Sequence, residues 1–210
     1  MTIEQIAPHL WHWAVPHPEW TPKARGKNGL GWDQMVSSYA LIADGAFVLI
    51  DPQVPEDDGD AAELWKALDA DVEGHGPPAI LITIRWHVRS ALQIAERYGE
   101  TMIWAPKSAA KEVAKRVPYT DTYGTGDELP GGVRPHDLAR FDEAVLELPQ
   151  HRALVFGDIV LDGPRLCPPS WLPKGTTIGE LGDEIRPLVS RAELLLLTHG
   201  GPTAAAELEV

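Results

Sequence analysis

A strand, a helix and a second strand follow one another between residues 79 and 106, and this unit constrains the fold more than any other segment. AILIT at 79–83 is an apolar run of the kind that is covered on both faces of a sheet. ALQIAERYG is typical of a helix, and Gly99 stands where a helix ends. TMIWAP then returns as a strand. A layered fold containing both strands and helices follows from this unit.

Two hairpins are predicted on either side of this unit. The β-rich runs 35–42 and 46–50 are joined by the turn signal ADG, and the apolar runs of AVLELPQHRALVFGDIVL are separated by PQHR. Hairpins mixed with a strand-helix-strand unit predict an α/β or α+β architecture. The other predicted elements are an edge strand within 3–15, a helix in GDAAELWKALDADV with Asp60 as N-cap, a short helix at 107–116, a weak helix in IGELGDEIRPLVS and a buried strand in ELLLLTHGGP.

The composition is that of a globular domain. The chain has 210 residues, of which 44% are hydrophobic, so it can bury a full core and we expect a single domain over 1–210. Cys167 is the only cysteine, which excludes a disulfide within the chain and a cluster of thiolate ligands. The first 13 residues lack the basic segment and apolar core of a secretory signal. We therefore expect a cytoplasmic protein.

The charge balance argues against two classes of partner. Lys and Arg number 18 and Asp and Glu number 31, which gives a net charge of −13. A chain this acidic is repelled by phosphate backbones and anionic lipid headgroups, so we expect neither nucleic acid nor a membrane as partner. A Gly-x-Ser-x-Gly elbow and a phosphate-binding GxxxxGK[ST] loop are both absent from the sequence. A small molecule remains the expected ligand.

Four segments spread along nearly the whole chain share one pattern. They are SSYALIADGAFVLIDP, ILITIRWHVRSALQIAERYGETMIWAP, EAVLELPQHRALVFGDIVL and LLLLTHGG. In this order they resemble the metallo-β-lactamase superfamily. In that family a hairpin ends in aspartate, and a buried strand ends in threonine before the metal loop. A Gly-Asp pair then supplies a bridging aspartate, and a late strand ends at a ligand histidine. The matching residues are Asp51, Thr83, Asp158 and His199. The resemblance implies an αβ/βα four-layer sandwich with two mixed β-sheets.

The metal loop itself departs from the family pattern. The family has His, any residue, His, any residue, Asp, His after the threonine, whereas here Thr83 is followed by IRWHVR. All four ligand positions are therefore replaced, and the histidine expected before AVLEL is replaced by Ala139 or a neighbour. Of the family's metal-ligand positions, only those of Asp158 and His199 are matched, and a catalytic zinc site needs about three protein ligands. We therefore expect no metal cofactor.

His87 and His199 each allow two interpretations. A one-residue bulge could turn His87 toward the pocket, where it would join Asp158, His199 and His136 in a site for one zinc or iron ion. Otherwise His87 is a partly exposed loop residue packed near Trp86. His199 is either a former metal ligand or a histidine hydrogen-bonded to backbone within the THGGP turn.

The expected pocket is formed by two arginines and two tryptophans. In the absence of metal a buried Asp158 would lack a partner, and we expect Arg89 or Arg85 to neutralise it through a charge-assisted hydrogen bond. Trp86 is expected at the pocket floor, in the space that the metal ions occupy in the family. Trp32 belongs to the loop 16–34, which suits an anionic or aromatic ligand. That loop also carries Trp20, Lys23, Arg25 and Lys27.

Two functions from different classes follow from these observations. The first is a protein with a degenerate metal site that performs no zinc hydrolysis and binds a small molecule, or another chain, through the inherited cleft. The alternative is an ester, thioester, lactone or phosphoester hydrolase with a rebuilt mononuclear metal site, in which His87, Asp158 and His199 are the catalytic candidates. A requirement for metal distinguishes the two.

Overall fold

The first β-sheet follows the chain from its N-terminal end, in a computed structural model that describes residues 1–26 and 31–210. Neighbouring strands pair antiparallel as far as the fourth and parallel from there on, because hairpins give way to strand-helix-strand connections. The strands, in order across the sheet, are β1 (Ile3–Ala7), β2 (Leu10–Pro16), β3 (Met35–Ala43), β4 (Ala46–Ile50), β5 (Ala79–Leu81), β6 (Met102–Pro106) and β7 (Asp121–Tyr123).

The second sheet is also mixed, because β10 pairs parallel with β13 and antiparallel with β9. Its order is β14-β13-β10-β9-β8, and a small two-stranded ribbon of β11 and β12 lies beside it. These strands are β8 (Arg134–Leu138), β9 (Glu143–Leu148), β10 (Ala153–Phe156), β11 (Val160–Leu161), β12 (Arg165–Leu166), β13 (Leu194–Leu197) and β14 (Gly201–Ala204). The helices are α1 (Asp58–His75), α2 (Ala91–Tyr98), α3 (Ala110–Val113) and α4 (Ile178–Val189).

The alternation of side chains along the strands produces the four layers. Phe47 and Leu49 of β4 point toward the helices α1, α2 and α3, whereas Val48 and Ile50 point toward the second sheet. In β10, Phe156 packs toward α4 and Val155 packs between the sheets. The described residues form three apolar clusters, one between the two sheets and one beneath each helix layer. The architecture is the αβ/βα sandwich that the resemblance implied, and that prediction is confirmed.

Two local predictions near the N-terminus are wrong. Residues 3–15 form the hairpin of β1 and β2 instead of one edge strand, because the chain turns at His9, which has a positive φ of 60°. The cap of α1 is Asp57, whose side chain accepts hydrogen bonds from the backbone N–H groups of Gly59 and Asp60, both at 3.0 Å. An acidic run offers several possible caps, and the sequence does not distinguish among them.

The site-forming edge of the molecule is where parallel strands of both sheets end. Asp51 follows β4 and Thr83 lies two residues beyond β5, in the first sheet, while Asp158 follows β10 and His199 follows β13, in the second. The backbone N–H of Ala144 donates to the Thr83 carbonyl at 2.9 Å and ties the two sheets together at this edge. Separately, no helix among the described residues is long and apolar enough to cross a membrane.

Candidate metal centre

Asp51 is a buried carboxylate whose partners come from the loop after β5. It is 0% exposed, and its backbone adopts a positive φ of 46° at the end of β4. Its Oδ1 accepts a hydrogen bond from the Thr83 backbone N–H at 2.9 Å, and its Oδ2 accepts one from the Thr83 hydroxyl. The Nδ1 of His87 lies 2.9 Å from the same Oδ2. Asp51 therefore fixes the start of this loop and one nitrogen of the His87 ring.

His87 bridges Asp51 and Asp158, one carboxylate from each side of the site. Only 4% of His87 is exposed, and its Nε2 lies 3.1 Å from the Asp158 Oδ1. Burial and the Arg89 charge lower the pKa of His87, but the charges of Asp51 and Asp158 outweigh them, so its pKa is raised. The interpretation of His87 as a partly exposed loop residue is wrong, because the turn after Thr83 directs its ring inward.

His199 approaches Asp158 from the opposite side. Its Nε2 lies 3.0 Å from the same Asp158 Oδ1, and its ring centroid is 5.4 Å from that of His87. Burial lowers the pKa of His199 to about 4. Burial raises the pKa of Asp158, but the two histidines outweigh it and hold this pKa well below the usual range. Among the described residues nothing accepts or donates at the buried His199 Nδ1, so a hydrogen bond to backbone is not its role.

Three side chains thus bring their ligand atoms to one point. The available atoms of His87, Asp158 and His199 all lie within 4.8 Å of one another, which is the arrangement that a metal-binding group requires. The fourth candidate, His136, is on β8 with its Nε2 2.9 Å from the Glu147 Oε2. Within the described residues His136 is not part of this group.

Glu143 is a site residue that the sequence analysis missed. This fully buried residue at the start of β9 accepts hydrogen bonds from three successive backbone N–H groups, those of Gly157 at 2.8 Å, Asp158 at 2.7 Å and Ile159 at 3.0 Å. Burial, followed by the Asp158 charge, raises its pKa to about 8. Glu143 therefore sets the path of the loop that carries Asp158. The sequence signal for Glu143 was an acidic residue at the start of a predicted strand. Strands with exposed ends also begin with acidic residues, so this signal does not identify a buried carboxylate.

Gly157 lies in close contact with Thr83 and Glu143. A Cβ at this position would meet the Thr83 hydroxyl at 2.8 Å and the Glu143 carboxyl carbon at 3.1 Å. The Thr198 hydroxyl donates to the Gly157 carbonyl at 2.8 Å, which links the loop of Asp158 to that of His199. A side chain at residue 157 would therefore force Thr83, Glu143 or the loop backbone to move.

The predicted ion pair between an arginine and Asp158 is wrong. The Arg89 Nη1 donates to the carbonyls of Ser37 and Asp51, both at 2.8 Å, and Arg85 pairs with Asp142. Asp158 instead contacts the two histidine rings, which approach closely enough to occupy its Oδ1. Arg89 acts at longer range, as a buried positive charge that lowers the pKa of His199 after the larger effects of burial and of the His87 charge.

Two cavities flank Asp158. The larger is about 440 Å³, and Arg85 lines it together with Ile84 and Phe141. The smaller is about 310 Å³, and its lining includes Trp32 and both histidines of the group. Trp86 lines both cavities. Because 49% of Trp86 is exposed, the prediction that it fills the place of the metal is wrong.

Three residues of the early loop, His17, Glu19 and Trp32, line part of the smaller cavity. The ring of Trp32 packs 4.8 Å from that of His199, and the Trp20 Nε1 donates to the Trp32 carbonyl at 3.2 Å. Lys23 and Arg25 lie in a short 3₁₀ helix, Pro22–Arg25, outside the lining of this cavity. Lys27, the other cation that the sequence analysis named here, lies outside the described residues.

Two mixed sheets between outer helices are the architecture of the metallo-β-lactamase fold, and solved structures of that fold match the chain. The DIM-1 metallo-β-lactamase exposed to ceftazidime matches at a TM-score of 0.67 and 18% identity, over 98% of this chain and 91% of that one. The mono-zinc form of FIM-1 from Pseudomonas aeruginosa matches at 0.68 and 11%, over 98% and 90%. A metallo-β-lactamase from Hirschia baltica matches at 0.67 and 12%, over 98% and 93%.

At these identities the likeness establishes the fold alone. No protein-family model and no curated protein matches the sequence. The chemistry of this chain therefore has to be inferred from its own site residues.

Proposed function

We propose that this protein is a hydrolase that depends on one divalent metal ion bound by His87, Asp158 and His199. The convergence of their three ligand atoms within 4.8 Å supports the proposal most directly. Three protein ligands and an open position are the usual composition of a catalytic zinc site. Two histidines and one carboxylate also suit ferrous iron, so zinc and iron are the two candidates.

Two of the three distances within the group fit a shared ion. Two atoms bonded to one ion at about 2.1 Å lie roughly 3.0–3.4 Å apart. The Asp158 Oδ1 lies 3.1 Å from the His87 Nε2 and 3.0 Å from the His199 Nε2. The Asp51 carboxylate accepts from the His87 Nδ1, which leaves the Nε2 free to act as a ligand. This carboxylate-histidine pair is the usual support of a metal-binding imidazole.

The chain's own residues would divide the work of hydrolysis. A bound metal ion would supply a Lewis acid and lower the pKa of a bound water. Asp51 orients His87, Glu143 holds the backbone that carries Asp158, and the cavities on either side of Asp158 provide room for the two ends of a substrate. The substrate class we propose is an ester, thioester, lactone or phosphoester, as in the superfamily that the sequence resembles.

Metal content per chain tests the proposal. Untagged protein would be purified without chelator, offered excess zinc, iron or manganese, desalted and analysed by mass spectrometry. We expect about one ion per chain, lost in His199→Ala and in Asp158→Asn but kept in His136→Ala, a matched control whose ring binds Glu147. Hydrolysis of nitrophenyl ester and phosphate panels should fall with the same two variants. Less than about a tenth of an ion per chain would contradict the proposal.

A metal-free binding protein is the second candidate, and the surroundings of His87 favour it. Both ring nitrogens of His87 lie against carboxylate oxygens, so a doubly protonated ring satisfies Asp51 and Asp158 without any ion. Arg89 adds a second buried positive charge nearby. In this case a chelator would change neither the unfolding midpoint nor the affinity for a ligand of the cleft.

A further inference from the structure

Arg116 is an exposed cation that lines the smaller cavity. It lies just beyond α3, where its backbone N–H donates to the Val113 carbonyl at 2.8 Å. Its guanidinium carbon lies 4.5 Å from the centroid of the Trp86 ring, which positions the charge through a cation-π contact. Across residues 1–26 and 31–210 no carboxylate lies within ion-pair distance of Arg116, whereas Arg85 is paired with Asp142.

Three tryptophans form part of the wall of the same cavity. Trp32, Trp86 and Trp171 all line a space of about 310 Å³, at the lower end of the volumes typical of small-molecule sites. Trp32 is held by its contact with His199, and Trp171 lies in the short 3₁₀ helix Pro169–Trp171. Indole rings provide large apolar surfaces that accommodate flat rings in stacked or edge-on contact. The cavity is therefore suited to an aromatic group of modest size.

Two carboxylates, Glu19 and Asp158, line the same cavity as Arg116. Glu19 lines the cavity from the early loop, and its backbone N–H donates to the His17 Nδ1 at 3.1 Å. Asp158 is at the inner end of the cavity, where the two histidine rings cover its Oδ1. Arg116 therefore attracts an anion in this cavity while Glu19 and Asp158 repel it, and a ligand with a second negative charge would be repelled more strongly.

We propose that the smaller cavity binds an aromatic carboxylate, with Arg116 holding the carboxylate and the tryptophans enclosing the ring. This inference rests on the proposed function, because the aromatic carboxylate is taken to be one end of the substrate that is hydrolysed. The binding itself requires no metal ion. Arg116 is then the residue that selects for negative charge, because guanidinium and carboxylate form two parallel charge-assisted hydrogen bonds.

Binding of 1-naphthoate to the full chain tests this inference. Titrations would be followed by calorimetry with chelator-treated and with zinc-loaded protein, and 1-naphthalenemethanol would serve as the neutral ring. We expect naphthoate to bind at least tenfold more tightly than the alcohol in both forms. Arg116→Ala should weaken naphthoate binding about tenfold and leave the alcohol unchanged, because it removes the charged donor alone.

Two further variants separate a local contact from a general effect of charge. Lys111→Ala removes an equal charge from α3 without lining the cavity, and we expect it to leave the affinity unchanged. Glu19→Gln removes one opposing carboxylate and should tighten naphthoate binding several-fold. Equal losses in Arg116→Ala and Lys111→Ala would overturn the inference, as would failure of naphthoate to saturate the wild-type protein at millimolar concentration.

The two forms of the protein distinguish this inference from the proposed function. Naphthoate that binds zinc-loaded protein alone and is insensitive to Arg116→Ala would coordinate the metal, which overturns the inference and leaves the hydrolase proposal intact. Conversely, binding that depends on Arg116 in a protein that takes up no metal ion supports the inference and contradicts the hydrolase.

Discussion

Two buried carboxylates organise the two sides of the candidate metal centre, and they use different donors. Asp51, on the first sheet, binds the Thr83 backbone, the Thr83 hydroxyl and the His87 ring. Glu143, on the second sheet, binds backbone N–H groups alone, those of residues 157, 158 and 159. Both residues are 0% exposed.

Because their hydrogen-bond donors differ, Asp51 and Glu143 have different roles in the site. Asp51 acts on a side chain, so a change at Asp51 alters the orientation of His87 as well as the fold. Glu143 acts on the backbone that carries Asp158, and no cation lies within hydrogen-bonding distance of it in the described part of the chain. Its pKa is raised to about 8 because burial and the Asp158 charge both oppose the ionised form of Glu143.

Replacing Asp51 gives the largest expected effect. Asp51→Ala leaves a buried N–H, a buried hydroxyl and the His87 ring without their acceptor, and should lower the free energy of unfolding by about 3–5 kcal/mol. Urea denaturation measures the change. Asp69→Ala is the control, since Asp69 accepts from Arg97 and Tyr98 at the surface and should cost much less. Equal losses in the two variants would remove the distinction between Asp51 and an ordinary surface aspartate.

Glu143 should be recognisable by the pH dependence of stability. Its folded pKa of about 8 lies above its ordinary value of 4.5, so the folded state binds more protons between these two values. The free energy of unfolding must therefore fall as pH rises through this window. The side chain of Glu143→Gln cannot titrate. The free energy of unfolding of this variant should therefore fall less between pH 5 and 8 than that of the wild type, by up to about 3 kcal/mol. Urea denaturation at pH 5, 6, 7 and 8 compares the two proteins.

The control for this pH profile is Glu73→Gln, which removes a carboxylate from the exposed face of α1. Its profile should run parallel to that of the wild type. A parallel profile for Glu143→Gln as well would mean that Glu143 is ionised in the folded state, and the two buried carboxylates would then differ in their donors alone.

Arg89 sharpens the comparison on the Asp51 side. Arg89→Met keeps an unbranched side chain but removes the donor that serves the Ser37 and Asp51 carbonyls, so it should cost about 2 kcal/mol of stability. Thermal unfolding with denaturant titration gives the value. An unchanged midpoint would show that water replaces the guanidinium at both carbonyls.

Arg85 is the matched arginine beside Glu143 and gives the smallest expected effect. It pairs with Asp142 while its side chain is 31% exposed, so screening by solvent limits the pair to under about 1 kcal/mol. Arg85→Met, measured in parallel with Arg89→Met, should therefore leave the unfolding midpoint almost unchanged. A loss as large as that of Arg89→Met would place Arg85 among the residues that hold the site together.

Local sequence signals were sufficient for most of the fold. The hairpin of β3 and β4, the unit β5-α2-β6 and the strand β13 follow from patterns within about 30 residues, because alternation and helical spacing record which face each residue buries. The landmarks Asp51, Asp158 and His199 could be assigned for a related reason, since each directly follows a predicted strand. A single domain over 1–210 and a cytoplasmic location remain predictions. The absence of a metal cofactor is also untested, and the proposed hydrolase is the opposite prediction.

The site's contacts depended on the tertiary structure. His87 meets Asp158 across 71 positions of sequence and His199 meets it across 41, and Glu143 reaches backbone N–H groups that carry no side-chain signature. Pattern reasoning placed a histidine in the loop but could not give the direction of its ring, because that direction is set by Asp51 on a neighbouring strand. The sequence by itself thus determined which strands end at the site. The tertiary structure decided which side chains meet there, because hydrogen bonds between distant segments depend on how the two sheets pack.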